Sequence, residues 1–288
     1  MSAAARRPES RRVRTATTMG TVVSIHVVGD TDELTFDRAA ESCFDELRHV
    51  ERIFSTYRSD SDITRMNRGE IGIDDADPSV REVADACERA ESESRGLFSA
   101  HWAGGFDPTG YVKGWAVERA ARRYLEPLCG RAGVRAAGIG AGGDLQLFTA
   151  DAAEGTWRVG IADPRDRTRL VATVPVRNGA VATSGSAERG AHVIDPRTGS
   201  PARGVASMTV IADRLADADL WATVGLVAGF DDLSWTSRAP SHTGISVADD
   251  GRVRRWIDAT EVSVSVRQQR PERPFGDFVE MEASCASP

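Results

Sequence analysis

Lysine is almost missing from this sequence: 36 of its 288 residues are lysine or arginine, and a single one of these, Lys113, is a lysine. Cysteine is scarce as well. Cys43, Cys87, Cys129 and Cys285 stand far apart with no paired spacing, so neither a zinc site nor a disulfide framework is indicated, and a reducing compartment, the cytoplasm, is the expected location. No apolar run approaches the length of a membrane span, and the basic start Met-Ser-Ala-Ala-Ala-Arg-Arg is not followed by the apolar segment of a secretory signal. An excess of positive charge is also lacking. The net charge is -7 and the arginines are interleaved with carboxylates, which leaves no basic field for a polyanion, so nucleic acid is not an expected partner. The motif G-x-x-x-x-G-K-[ST] is absent, which excludes a P-loop nucleotidase.

With 41% hydrophobic and 27% charged residues, the composition is that of a folded globular chain. The stretch 1–14 reads as a disordered leader, 15–265 as one catalytic domain, and the Arg-, Pro- and Glu-rich 266–288 as a flexible tail. Residues 20–28 are β-branched and strand-like. Phe36, Ala40, Cys43, Leu47, Val50 and Phe54 recur at helical spacing, the polar run 55–62 breaks that pattern, and Asp77-Pro78 opens a second helix to about Glu93. A third helix covers Val112 to Leu125. Strands are then expected at 144–149, 157–161, 169–176, 179–183 and 205–212, a helix at 216–227, and a strand pair near 243–257. Helices first and strands later predict an α+β fold with helices packed on a largely antiparallel sheet.

Gly138-Ile-Gly140-Ala-Gly-Gly143 matches the glycine pattern of dinucleotide-binding folds. That pattern requires its last glycine to open a helix, whereas Asp-Leu-Gln-Leu-Phe-Thr follows and alternates like a strand. A glycine-rich turn or bulge is the better reading.

Three segments carry candidate chemistry. In Asp107-Pro-Thr-Gly110-Tyr-Val-Lys113, a turn delivers the chain into a helix, and exposed first-turn amides with one compact cation make a natural phosphate seat. A surface lysine left by chance is the alternative. In Ala216-Asp217-Ala-Asp219-Leu-Trp-Ala-Thr223, Asp219 and Thr223 lie four apart on one helix face and offer two hard oxygens to a cation such as Mg²⁺, while Asp217 is placed to cap the helix. A capped helix with a solvated Asp219 is the alternative. In His192-Val-Ile194-Asp195-Pro-Arg-Thr-Gly199, His192 can serve as a base or as a structural hydrogen-bonding residue.

Read together, these segments resemble the ApbE-type FAD:protein FMN transferases. The resemblance runs in family order through Met19-Gly-Thr21, Phe54-Ser-Thr-Tyr57-Arg-Ser-Asp-Ser61 with Asn67, Phe106-Asp107 to Lys113-Gly114, Gly142-Gly-Asp144, Ala182-Thr-Ser-Gly185, His192 to Gly199, and Ala218-Asp219 to Ala222-Thr223. It implies a T-fold-like α+β architecture, FAD as substrate, Mg²⁺, and transfer of FMN to a threonine hydroxyl of an acceptor protein with release of AMP. By position it implies FAD contacts from Met19, Tyr57, Asp107, Lys113 and Ile194. The Mg²⁺ ligands would be the Gly110 carbonyl, Asp219 and Thr223, and Lys113 and His192 would be catalytic. FAD hydrolysis by water, or FAD binding without turnover, stay open beside transfer. The chain departs from the family pattern in having Ser99 where an Asp is common and in a short connection from there to Phe106.

Overall fold

The computed structural model of the chain describes residues 10–185, 193–263 and 279–283. Strands β1 (Arg11–Thr18) and β2 (Thr21–Gly29) are joined by Met19 and Gly20 alone, at φ 52° and 68°. Two central residues at positive φ define the tight turn whose twist matches paired strands, so this hairpin register is fixed by its turn. The hairpin of β3 (Val134–Ala141) and β4 (Asp144–Thr149) closes in the same way through Gly142 and Gly143, at φ 58° and 91°.

Helix α1 (Glu33–Phe54) starts at Asp32, whose carboxylate accepts the Thr35 amide, and buries Phe36, Ala40, Cys43, Phe44, Leu47 and Val50 along one stripe. The short α2 (Asp62–Asn67), which the polar run concealed, is capped by Ser61. Helix α3 (Pro78–Ser94) opens as expected, with Pro78 in its first turn and Asp77 as cap. Then come α4 (Thr109–Tyr124), β5 (Trp157–Asp163), β6 (Asp166–Val176), β7 (Gly179–Gly185), the paired dipeptides β8 (Ile194–Asp195) and β9 (Ser200–Pro201), β10 (Val205–Ala212), α5 (Leu215–Ala228), β11 (Thr243–Ala248), β12 (Val253–Ile257), β13 (Thr260–Glu261) and β14 (Val279–Ala283).

Nine strands form one sheet in the order β1-β2-β3-β4-β7-β10-β11-β12-β13, and every pairing in it is antiparallel. A second sheet, β14-β5-β6, contains the one parallel pairing among the described residues, β14 with β5. Helices cover one face of the large sheet, where Ile25, Ala137, Ala182, Met208 and Val210 pack against Phe44, Trp115, Ala116 and Trp221. On the other face, Leu145, Leu147 and Val181 meet Trp157, Val159 and Val176 of the small sheet. The Trp157 indole N–H is satisfied by the Phe148 carbonyl at 3.1 Å, which lets the ring be buried completely. Among the described residues, no helix is long and apolar enough to cross a membrane.

Three further departures from expectation concern strands. Gly138 and Gly140 lie inside β3 rather than in a turn, because the missing side chain at Gly138 leaves room for Leu147 and Trp157. Strand β1 begins at Arg11, within the expected leader; its alternate residues are exposed at the sheet edge, so arginines there are compatible with a strand. Strand β14 falls within the expected tail and pairs with β5.

His26 on β2 is buried and accepts a 2.9 Å hydrogen bond at Nδ1 from Arg11 of β1. Burial first, and the Arg11 charge second, lower its pKa to about 4. The folded imidazole therefore stays neutral where the unfolded one protonates, so its contribution is complete above about pH 6.5 and is lost as pH falls toward 4. We expect His26→Gln to remove up to about 3 kcal/mol of acid-induced stability loss over that window, read from denaturant unfolding at pH 7, 5.5 and 4.

Candidate functional site

Side chains alternate along β4. Leu145 and Leu147 enter the layer shared with the small sheet, which leaves Asp144 and Gln146 facing the helices. Helix α5 needs them. Its N-cap, Arg214, makes no side-chain capping bond; instead Gln146 Oε1 accepts the Leu215 amide at 3.0 Å and Glu118 Oε2, from α4, accepts the Ala216 amide at 3.1 Å. The expected cap Asp217 sits inside the first helical turn and carries none of this. Glu118 is in turn held by Arg122 at 3.0 Å and Arg214 at 2.9 Å.

Helices α4 and α5 pack in close contact. Gly114 makes this possible: a Cβ there would fall 2.8 Å from the Leu215 carbonyl oxygen and 2.9 Å from Asp219 Cβ. The Gly114 amide donates to Asp219 Oδ2 at 3.1 Å.

At this contact the Lys113 ammonium bonds the Asp144 carboxylate and lies 3.3 Å from Asp219 Oδ1. Asp144 is 2% exposed, Asp219 8% and Lys113 25%. The solvated Asp219 of a free-standing helix is therefore not what forms; α5 is buried nearly all round and its carboxylate is paired, as a buried charge must be. Burial opposes the charge on Lys113, and the two carboxylates more than reverse this, so its pKa is raised. Burial pushes the Asp144 carboxyl up, to about 6, against the pull of Lys113. Asp144 Oδ1 also accepts the Thr183 amide at 3.0 Å, and the Thr183 hydroxyl meets that of Thr209 at 2.8 Å. The next residue on β7, Ser184, places its hydroxyl 3.1 Å from that of Thr223.

The structure thus joins Lys113 to Asp219 directly and puts Thr223 one turn further along the same helix. Met19 stands in the β1–β2 turn, at the same end of the sheet as Gly142, Gly143 and the last residues of β7, and it takes a left-handed conformation unusual for a non-glycine residue. The C-terminal turn of α1 reaches this end too, since Glu51 accepts the Thr18 hydroxyl at 3.0 Å. Tyr57 follows in the next loop with 97% of its surface exposed. Asp107 caps the entry to α4 by accepting the Thr109 amide at 3.1 Å. Asn67 pins the connection in front of it, exchanging hydrogen bonds with the Phe106 carbonyl and amide at 2.9 and 2.8 Å. Ser99 bonds Glu91 at 3.0 Å. Ile194 is half-buried in β8 opposite Pro201. His192 lies outside the described residues.

Among the described residues no group of three His, Cys, Asp or Glu is arranged to hold a metal ion. The donors at Asp219 and Thr223 are hard oxygens without nitrogen or sulfur, and Lys113 already stands as a cation at Asp219 Oδ1. Asp144, Asp219 and Lys113 together leave one negative charge. This sparse, residually negative set suits Mg²⁺, which commonly takes one or two carboxylates and completes its shell with water and phosphate oxygens.

The sequence model of the ApbE family matches residues 19–104 and 103–245. The chain belongs to the ApbE family. The two matched segments meet in the short connection ahead of α4. Similar curated proteins are FAD:protein FMN transferases of Rhodobacter capsulatus, 36% identical over 156 residues (50% of this chain, 28% of that protein), and Salmonella typhimurium, 35% identical over 127 residues (41% and 35%). The matches thus span about a third of these ApbE relatives. In fold, the chain is similar to the ApbE protein of Thermotoga maritima, with a TM-score of 0.72 at 22% identity over 85% of this chain and 96% of that one. It is likewise similar to the flavin transferase ApbE of Vibrio cholerae, with a TM-score of 0.69 at 21% identity over 87% and 97%. The ApbE-like α+β architecture is the one expected.

Sequence reasoning singled out neither Asp144 nor Ser184, Glu118 and Gln146 as parts of the site. An acid opening an alternating strand just after Gly-Gly was the signal available for Asp144. Gly114→Ala is expected to destabilise the protein by about 1–3 kcal/mol by forcing α4 from α5. Gly130→Ala, where a Cβ meets nothing within 4 Å, is expected to stay within about 0.5 kcal/mol of the parent; thermal unfolding compares the two.

Proposed function

We propose that the protein is a Mg²⁺-dependent FAD:protein FMN transferase, with the expected unit 15–265, extended by the start of β1 and by β14, as one catalytic unit, acting on a threonine of an acceptor protein. The observation that carries this reading is the convergence of the chain's one lysine on Asp219, with Thr223 a helical turn beyond. Attack at phosphorus asks a protein for position and charge neutralisation more than for covalent chemistry. In the reaction, the threonine oxygen bonds to the FMN-side phosphorus of FAD, the bond from that phosphorus to the bridging oxygen breaks, and AMP leaves with that oxygen. The threonine proton passes to a base, a role we assign to His192.

Asp219, Thr223 and the Gly110 carbonyl would hold the metal; bound Mg²⁺ would offset charge on the pyrophosphate and orient it. Lys113 has three donors, of which two are directed at carboxylates, and its partial exposure supports a third toward phosphate. The bare face of Tyr57 supports a ring contact, and Met19, Asp107 and Ile194 complete the proposed FAD surface. The free Cys43, Cys87 and Cys129 support a reducing compartment, and we place the reaction in the cytoplasm.

The deciding measurement is AMP release from FAD with and without a threonine-containing acceptor, together with the mass of the acceptor. Transfer predicts AMP only with acceptor and a mass gain equal to FMN; release without acceptor makes the protein a hydrolase, and no release makes it a flavin-binding protein. Asp219→Ala should abolish Mg²⁺-dependent turnover. Lys113→Arg should keep the fold, by circular dichroism, and lose most activity, because a guanidinium fork is too broad for a seat between two carboxylates. His192→Ala should retain FAD binding and lose the transfer rate.

A further inference from the structure

We propose that Asp144 is a positioning residue that holds the Lys113 ammonium back from the cation seat at Asp219. The inference rests on the reading of Asp219 and Thr223 as metal ligands and adds the reason that a lysine and a divalent cation can share one carboxylate. The ammonium has two acidic neighbours from different elements: it bonds Asp144 of β4 and stands 3.3 Å from Asp219 Oδ1 of α5.

Asp144 is fixed by groups other than the lysine. Its Oδ1 takes the Thr183 amide at 3.0 Å, the neighbouring pair Leu145 and Val181 locks β4 to β7, and the two-glycine turn sets where the strand begins. At 2% exposure the carboxylate cannot swing away into water. Asp219 commits one oxygen to the Gly114 amide, and its other oxygen is the one shared with Lys113.

The charges then decide the outcome. With Asp144 ionised, the three groups sum to one negative charge, and a divalent cation at Asp219 meets an attractive site. Without that charge the ammonium has a single carboxylate left; it closes on Asp219, the sum becomes zero, and ammonium and metal compete for the same oxygen. Asp144 in this account touches neither metal nor phosphate.

The test uses Mn²⁺ as probe, its free fraction read by electron paramagnetic resonance in titrations of the whole chain. Asp144→Asn should weaken Mn²⁺ binding on the order of tenfold or more, from the loss of one charge a few ångströms away. The double variant D144N/K113M restores the negative sum and removes the competitor, so its affinity should return to within about threefold of the parent. A merely structural role for Asp144 would leave the double variant as weak as the single one. Lys113→Met alone should bind Mn²⁺ more tightly than the parent, which keeps the proposal testable even where Asp144→Asn does not fold. Equal affinity of the parent and D144N, failure of the second substitution to rescue, or unchanged binding by K113M overturns the proposal while leaving the metal site itself intact. No Mn²⁺ binding by the unaltered chain overturns both this proposal and the metal reading.

Discussion

Everything at the candidate site depends on one requirement, that two carboxylates withdrawn from water be compensated. Asp144 comes from the sheet, Asp219 from α5 and Lys113 from α4. Each would be costly to bury alone, and breaking such a group by removing one member leaves an uncompensated charge. The ion triad therefore fastens three separate elements at one point. The lack of a side chain at Gly114 is the matching steric condition, because the helices could not otherwise approach closely enough for its amide to reach Asp219.

This also gives the lone lysine a physical meaning. Several arginines of this structure pair as forks: Arg58 with Asp60, Arg197 with Asp195 and Arg254 with Glu261 each use two guanidinium nitrogens on one carboxylate. Such pairs use the planar geometry of arginine. Between Asp144 and Asp219 the demand is different, since one compact charge must serve two carboxylates that face each other from different elements.

Much of the architecture was legible in the sequence because its signals are local. The stripe on α1, the Asp-Pro start of α3 and the turn residues around β7 each follow from spacing within a few positions. What was not legible depends on contacts between distant segments. Strand β3 is rich in Ala and Gly, and its strand character comes from β2 on one side and β4 on the other. Strand β1 hides behind arginines that an edge can expose. For the site, Lys113, Asp219 and Thr223 could be found from residue type and helical period, whereas Asp144 required knowledge that β4 turns its even-numbered residues toward α4. Glu118 is ordinary in sequence, an acid followed four residues later by Arg122; only the fold reveals that its other oxygen serves a different helix.

That last feature bears on how the chain folds. Helix α5 has almost no amphipathic character and no cap of its own; the amides at its start are satisfied by Glu118 from α4 and Gln146 from β4. An isolated α5 would leave those amides to water and its apolar surface bare, so it has little reason to persist before its neighbours are in place. The helix that carries Asp219 and Thr223 must then form together with the sheet and α4, in a single cooperative unit. A partly folded chain would accordingly hold no partial version of the candidate site, and amide hydrogen exchange in α5 would proceed through the same opening as that in β4.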